Sequence, residues 1–303
     1  MTQERNHMDR TFSQMIARSI SLQDRNTKVY VVVGPCRSGT TAFLRVFSEV
    51  GIQSWYQPIK AVIRGQMRNE SFAFQIPALP SVMLKDTFGP FSVEESCFNP
   101  IEILLEAGAT ADNLHLLTVS RDPVATACSW IRINKQVGAD ASAAALAYLA
   151  MGYRNLLRLA AYATDHHVAH TPFAYELLRD HDPALIRTLL ASRLGISQPV
   201  KGMNWRDLPP VESANHLIKY VEQGRRYNVP DLHSKLNRSA GLVYYSKSTD
   251  ELAQYLDASH ISALTDEGVF ECHRAHQSMS SAAFGLSIRH TAIAKEYGLG
   301  VVE

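Results

Sequence analysis

Apolar positions along the chain form three short, nearly continuous runs, and polar residues follow each of them. The runs cover residues 29–33, 82–84 and 114–119. Runs of this kind are typical of strands covered on both faces of a parallel sheet. The carboxyl ends of such strands share one edge, where ligands bind in open α/β sheets. The pattern therefore predicts three strands whose polar ends contribute to one site.

Helical periodicity occupies the intervals around these strands. Apolar residues recur at helical spacing from Thr41 to Gly51, and further helices are expected over 141–163, 183–194, 249–267 and 279–296, whereas residues 203–237 are weakly periodic. This alternation predicts an α/β fold: a P-loop-type three-layer α/β/α arrangement with a central parallel sheet and helical additions in the C-terminal part. We expect a polar lead-in over 1–28, with one amphipathic helix, and a single domain over 29–303.

Composition narrows the classes of partner. Thirty Lys and Arg against 29 Asp and Glu give a formal charge of +1 over 303 residues. No general field would attract nucleic acid or an anionic membrane, so any anion site must be local. The four cysteines are far apart and form no C-x-x-C pair, and no apolar run near the start resembles a signal peptide or anchor. We expect a cytoplasmic protein without a membrane span.

Residues 34–41, with the sequence GPCRSGTT, stand between the first strand and its helix. Consecutive backbone N–H groups at a helix N-terminus form an anion cradle. A nucleoside-triphosphate loop, G-x-x-x-x-G-K-[ST], would have lysine after the second glycine, but this chain has Thr40 there and its cation at Arg37. The difference argues against an ordinary ATPase or kinase. A turn that only caps the helix is the alternative.

A second motif covers residues 117–130, where Arg121 ends a strand and Ser129 follows eight positions later. A guanidinium and a hydroxyl on one side of a helix suit a phosphate. In this order the two motifs resemble sulfotransferases that use 3′-phosphoadenosine 5′-phosphosulfate (PAPS) and release PAP. The resemblance implies these cofactor-binding residues: Arg37, Ser38, Gly39, Thr40 and Thr41 at the 5′-phosphosulfate, and Arg121 and Ser129 at the 3′-phosphate.

Residues 173–178 are similar to the family's Tyr-Glu segment, and the likeness runs from about residue 29 to 195. It implies that Tyr175 lines the adenosine pocket, with a core tyrosine as the alternative. It also implies that Arg37 and Lys85, which ends the second strand, stabilise charge during transfer. A solvated strand-end lysine is the alternative for Lys85.

The chain departs from the family at the general base. Thr87 stands where other members have histidine, and Gln57 stands where some have glutamate. Asp86 is then the preferred base, and Glu70, Glu94 and Glu95 are rivals. The family's C-terminal Arg-Lys-Gly element has no clear match, although the basic residues 233–239 could replace it.

The expected function is transfer of a sulfuryl group to a hydroxyl or amine of a small-molecule, lipid or carbohydrate acceptor. Two alternatives stay open: an inactive PAP- or PAPS-binding protein of the same fold, and a P-loop small-molecule kinase. The cluster of Cys272, His273 and His276 lacks a second cluster, so it is interpreted as structural and no metal is expected. The acceptor and a homo-oligomeric state are left open.

Overall fold

The computed structural model describes residues 11–197, 202–213, 215–221 and 233–289. Its strands are β1 (Ile20–Leu22), β2 (Lys28–Val33), β3 (Gln53–Tyr56), β4 (Phe74–Ile76), β5 (Ser81–Lys85), β6 (Leu114–Ser120), β7 (Ala169–Ala174) and β8 (Ile218–Tyr220). Within these residues, six strands form a parallel sheet in the order β7-β6-β2-β5-β3-β8, and β1 pairs separately with β4. The three predicted strands are confirmed as β2, β5 and β6.

Helices connect the strands and cover both faces of the sheet. The described helices are α1 (11–17), α2 (Ala42–Glu49), α3 (Pro58–Met67), α4 (Val93–Cys97), α5 (Pro100–Glu106), α6 (Pro123–Gln136), α7 (Leu146–Asp165), α8 (Leu177–Asp180), α9 (Pro183–Leu194), α10 (Ser234–Asn237), α11 (Thr249–Tyr255), α12 (Ala258–Asp266) and α13 (Val269–Phe284). Short 3₁₀ turns lie at Ala111–Asn113, Ala143–Ala145 and Trp205–Asp207.

The central strands are apolar throughout because they contribute to two cores. Along β2, the side chains of Val29, Val31 and Val33 join one cluster, together with apolar residues of α3, α5, α6 and α7. Tyr30 and Val32 point to the other side and join a cluster with residues of α2, α8 and α9. This arrangement confirms the predicted three-layer α/β fold with a parallel central sheet.

Three helical predictions differ from the structure in extent. The helix predicted over 141–163 is α7, which begins at Leu146 after a short 3₁₀ turn. The segment 249–267 is two helices, because the Asp257 side chain accepts hydrogen bonds from the amides that begin α12. The segment predicted over 279–296 belongs to α13, which begins earlier and ends where Gly285 adopts a left-handed φ of 66°. Residues 290–296 of that prediction lie outside the described residues.

Part of the predicted lead-in folds against the domain. Residues 11–17 are helical, as expected, and Ile16 and Ile20 are buried in the same core cluster as alternate residues of β2. Residues 11–28 therefore contribute apolar side chains to the core. No helix in the described ranges is both long and apolar enough to cross a membrane.

Candidate functional site

The carboxyl ends of three neighbouring strands, β6, β2 and β5, open into one pocket. Arg121 follows β6, Arg37 follows β2 and Lys85 ends β5, and all three line the pocket. Backbone pairing fixes their proximity, because β2 pairs with both β5 and β6. The structure therefore brings together the polar strand ends that the sequence pattern predicted would meet.

Positive charge dominates the wall of this pocket. Among the described residues, its Lys and Arg side chains are Arg37, Lys85, Arg121, Arg132, Lys235 and Lys247, and no aspartate or glutamate lines it. The whole chain carries a formal charge of only +1, so this excess is local. Cations that lie close together in a partly desolvated pocket repel one another, and a bound polyanion would reduce this repulsion.

The loop 34–41 approaches its neighbours closely at two glycines. A Cβ atom on Gly34 would stand 2.2 Å from the Val119 carbonyl oxygen. Gly39 has a φ of +100°, and a Cβ there would stand 2.4 Å from the Tyr175 ring. Only glycine therefore lets the loop turn tightly between β2 and α2 while it lies against the end of β6.

The backbone amides of the loop differ in whether a protein group accepts a hydrogen bond from them. The Ser38 amide donates to the Pro35 carbonyl at 3.0 Å, and the buried Ser38 side chain does not line the pocket. Gly39, Thr40 and Thr41 do line it, and within the described residues their amides donate to no protein acceptor. These amides, at the N-terminus of α2, are the donors that a phosphate would use.

The two sequence motifs contact each other directly. Arg37, whose φ is 75°, donates from Nε to the Ser129 hydroxyl oxygen at 3.0 Å. Ser129 lies on α6 and lines the pocket with Arg121, so their spacing does place both on the pocket side. Burial lowers the pKa of Arg37, and the Arg132 and Arg121 charges lower it further. Three guanidinium groups therefore lie near one another.

Arg121 is held from several sides. Its backbone carbonyl accepts a hydrogen bond from the Tyr153 hydroxyl, and its Nη2 donates to the Tyr245 carbonyl at 2.5 Å. Its Nε has no partner in the part of the chain that the structure describes. Behind it, buried Glu176 accepts from the Asp122 amide at 2.6 Å, and burial raises the pKa of both carboxyls. Arg121 is thus fixed and keeps a donor for a ligand.

Two cations of the pocket, Arg132 and Lys247, were missed by the sequence analysis. Arg132 lies three positions after Ser129, on the same face of α6, and its buried Nε has no partner among the described residues. The Lys247 side chain is 5% exposed and lies 2.5 Å from Glu251. The helical spacing Ser-x-x-Arg was an available signal for Arg132, whereas Lys247 comes from an irregular segment that carries no such signal.

Lys85 lies in the pocket wall, with only 1% of its surface exposed. Its Nζ is 4.2 Å from the centroid of the Tyr56 ring. Burial lowers the pKa of Lys85 to about 7, and the charges of Lys60 and Arg37 act in the same direction. The structure therefore excludes the alternative of a solvated strand-end lysine. A bound anion would favour the charged ammonium.

Asp86 is fully buried and does not line the pocket. Its Oδ1 accepts a hydrogen bond from the Lys60 amide at 3.0 Å, in the first turn of α3. Burial raises the pKa of Asp86 to about 6. Its position suits a carboxylate that stabilises a helix N-terminus and does not support the role of general base. The rival carboxylates Glu70, Glu94 and Glu95 do not line the pocket either.

A buried ion network, formed by Lys60, Arg64 and Glu95, lies beside Asp86. Glu95 accepts from Arg64 Nε and Nη2 at 2.8 and 3.0 Å, and Lys60 Nζ lies 3.3 Å from Glu95 Oε2. Lys60 also donates to the Thr87 hydroxyl at 3.2 Å, as does the Gln57 side-chain amide at 3.0 Å. Thr87 and Gln57, the two departures from the sulfotransferase pattern, are thus engaged with each other.

Tyr175 belongs to both the core and the pocket. It is 7% exposed, packs in a core cluster and lines the pocket. Its hydroxyl donates to the Gly39 carbonyl at 3.3 Å, and burial raises its pKa. The two interpretations of this residue are therefore compatible.

The predicted basic segment 233–239 also contributes to the pocket. His233, Lys235 and Ser239 line it, whereas Arg238 is exposed and does not. Lys235 is 55% exposed and lies 3.3 Å from Glu251. The buried His233 ring lies edge-on to the Tyr56 ring, with 6.2 Å between centroids. The cations of this segment are apparent from the sequence, whereas no sequence pattern indicates that His233 lines the pocket.

The histidines of the cysteine–histidine motif, His273 and His276, lie on α13 and do not line the pocket. His276 contacts the Thr118 hydroxyl at 2.9 Å and the Ser120 hydroxyl at 2.8 Å, which links α13 to β6. In the described ranges, no group of His, Cys, Asp or Glu side chains is arranged to hold a metal ion.

Together, the fold and the pocket define a parallel α/β protein with a cationic phosphate-loop site. No family model matches the sequence, and no curated protein sequence matches it. A crystal structure of the mouse sulfotransferase SULT7A1 complexed with PAP matches over 88% of this chain and 94% of that chain, with 11% identity and a TM-score of 0.48. At these values the likeness carries no argument about what the pocket binds.

Proposed function

We propose that the chain is a sulfotransferase that binds PAPS and transfers its sulfuryl group to a hydroxyl or amine of a small-molecule, lipid or carbohydrate acceptor. One observation carries the proposal: in the described part of the chain, the pocket gathers six cations at a phosphate loop and no carboxylate lines it. Such a wall suits a ligand with several negative charges that is not presented with a metal ion.

The pocket cations come from two parts of the chain, and we assign each part to one phosphate of the cofactor. The amides of residues 39–41 lie with Arg37 and Lys85 at the ends of β2 and β5, which suits the 5′-phosphosulfate. Arg121, Ser129 and Arg132 lie along the β6–α6 connection, which suits the 3′-phosphate. We therefore add Arg132 to the residues that the sequence resemblance implies. Ser38 would support the loop from behind, since it does not line the pocket.

Sulfuryl transfer places negative charge on the leaving 5′-phosphate as the bond between sulfur and the bridging oxygen breaks. Arg37 and Lys85 are positioned to stabilise that charge, because both line the pocket near the loop amides. Preorganised cations in a partly desolvated site stabilise developing negative charge more strongly than the same groups do in water. Arg37 is further oriented by its hydrogen bond to Ser129.

A phosphoryl-transfer enzyme would need a different pocket. Enzymes of that class place magnesium between the phosphates and hold it with carboxylate or hydroxyl side chains, and a loop lysine contacts the phosphates. Here Thr40 occupies the lysine position, and no described carboxylate lines the pocket. The charge distribution therefore favours a phosphosulfate over magnesium-bound ATP.

Calorimetry with PAP tests the proposal without knowledge of the acceptor. Wild type is expected to bind PAP with micromolar or tighter affinity and to bind ADP with magnesium more weakly. Arg121→Ala and Arg37→Ala should each weaken PAP binding about tenfold or more, the scale of a charge-assisted contact.

Arg238→Ala is the matched control, because Arg238 belongs to the basic segment but is exposed outside the pocket. Its PAP affinity should equal that of wild type. A preference for ADP with magnesium would instead favour the kinase. PAP binding without PAP release from PAPS, over a broad panel of acceptors, would identify an inactive binding protein.

A further inference from the structure

The proposed transfer needs a group that takes a proton from the acceptor, and the pocket has no described carboxylate for it. Thr87, at the family's histidine position, is engaged with Gln57 and Lys60. His233 is a histidine that does line the pocket. It comes from a different part of the chain, at the amino end of α10.

The surroundings of His233 place it beside the reacting groups. Its ring lies edge-on to Tyr56, and the same Tyr56 ring carries the Lys85 ammonium 4.2 Å from its centroid. His233 and Lys85 therefore both pack against the Tyr56 ring. Arg37 is also close enough to act on His233 electrostatically.

We propose that His233 accepts the proton of the acceptor hydroxyl during sulfuryl transfer. This inference rests on the proposed function. In the step, the acceptor oxygen forms a bond to sulfur while the bond from sulfur to the bridging oxygen breaks. The electron pair of that bond leaves with the 5′-phosphate of PAP, and the proton moves to the neutral imidazole, which becomes imidazolium.

The charges around His233 make its basicity depend on whether an anion is bound. In the free protein, burial lowers the pKa of His233 well below its usual range, and the cations Arg37 and Lys85 lower it further. Tyr56, which faces the ring from β3, is neutral, because burial raises its pKa. An anion bound between Arg37 and Lys85 offsets their charges, so the imidazole becomes more basic when the sulfuryl donor is present.

Nuclear magnetic resonance can follow His233 with PAP alone as the probe. The ring resonance that disappears in His233→Asn identifies the residue, and its titration is measured without PAP and with saturating PAP. The expected pKa is well below 6.5 in the free protein and rises by about one unit or more with PAP, as expected when an anion offsets neighbouring cations. The exposed His166 does not line the pocket and is the internal control, so addition of PAP should leave its ring resonance unchanged.

The outcomes separate this inference from the proposed function. If PAP does not bind to wild type, the proposed function fails and this inference fails with it. If PAP binds and the titration of His233 does not move, His233 is not coupled to the anion site, and only this inference is overturned.

A second measurement follows PAP formed from PAPS in single turnovers, with water as the acceptor. His233→Asn should lower the rate at least about tenfold, within the range of general-base catalysis, and its PAP affinity should stay within about twofold of wild type. His166→Asn should change neither quantity. PAP formation at the wild-type rate in His233→Asn would overturn the role of His233, as would a wild-type rate no faster than the decay of PAPS in buffer.

Discussion

Two groups of cations lie in neighbouring parts of this protein, and they differ in one respect. The buried ion network of Lys60 and Arg64 has its own carboxylate, Glu95, with contacts of 2.8 to 3.3 Å. Lys85 and Arg37 line the pocket, and no aspartate or glutamate is among the described residues of its lining. Glu95 therefore offsets part of the positive charge of the network within the protein, whereas we propose that a bound anion offsets the charge of the pocket.

The difference separates a structural role from a binding role for the same residue types. A buried pair is costly to break but adds little to stability as a whole, whereas repulsion among clustered cations destabilises the free protein until an anion binds. The network also holds Thr87 through Lys60. We therefore expect substitutions in the network to lower stability and substitutions in the pocket to weaken ligand binding.

The largest effect is expected at the centre of the network. Glu95→Ala would leave Lys60 and Arg64 buried without their carboxylate, and should lower the free energy of unfolding by about 3–5 kcal/mol. Denaturant unfolding measures this directly. Glu94→Ala is the control, because Glu94 is exposed, and its stability should match wild type. A stable Glu95→Ala protein would show that the network does not depend on charge neutralisation.

In the pocket, Arg132→Ala should act on binding and leave stability nearly unchanged. If Arg132 contacts the 3′-phosphate, PAP affinity falls about tenfold, equivalent to about 1.4 kcal/mol. Affinity for adenosine 5′-phosphate, which lacks that phosphate, should hardly change. Calorimetry with the two ligands measures the difference, and equal losses for both would remove Arg132 from the 3′-phosphate site.

The part of the pocket formed by the strand ends could be predicted, because its residues follow strands directly in the sequence. An apolar run, a glycine loop and a helix follow one another at residues 29–51, and Arg121 at the end of β6 is followed eight positions later by Ser129 on α6. Neighbouring residues at the end of a strand point to opposite faces. That alternation explains why Lys85 lines the pocket and Asp86 does not, although the two were predicted together.

The rest of the pocket depends on packing between distant segments. His233 and Lys247 reach the pocket from irregular or very short elements that carry no periodic signal. Strand β8 has three residues and extends the sheet beside β3, within a stretch where no strand was predicted. Contacts of this kind follow from tertiary structure, so composition and spacing alone could not indicate them.

PAP binding should depend on pH through the protonation of Lys85. The pKa of Lys85 is about 7 in the free protein, so above that pH its amine is mostly neutral and an anion must bind together with a proton. PAP affinity should therefore fall several-fold between pH 7.5 and 9, where phosphates, with a second pKa of about 6, are fully ionised. Lys85→Met should bind PAP more weakly at pH 7.5 and lose this fall. Calorimetry at each pH tests it, and an unchanged slope in Lys85→Met would assign the dependence to another group.

The smallest effect is expected at Lys235, a pocket cation that does have a carboxylate partner. It is 55% exposed and lies 3.3 Å from Glu251, so solvent and its partner screen its charge from a ligand. Lys235→Ala should weaken PAP binding by about twofold or less at physiological salt, and the difference should vanish as salt is raised. Isothermal titrations of Lys235→Ala and Arg238→Ala over a salt series measure this. A loss as large as that of Arg121→Ala would show that a carboxylate partner does not decide which cations bind the ligand, and the contrast between the two groups would fail.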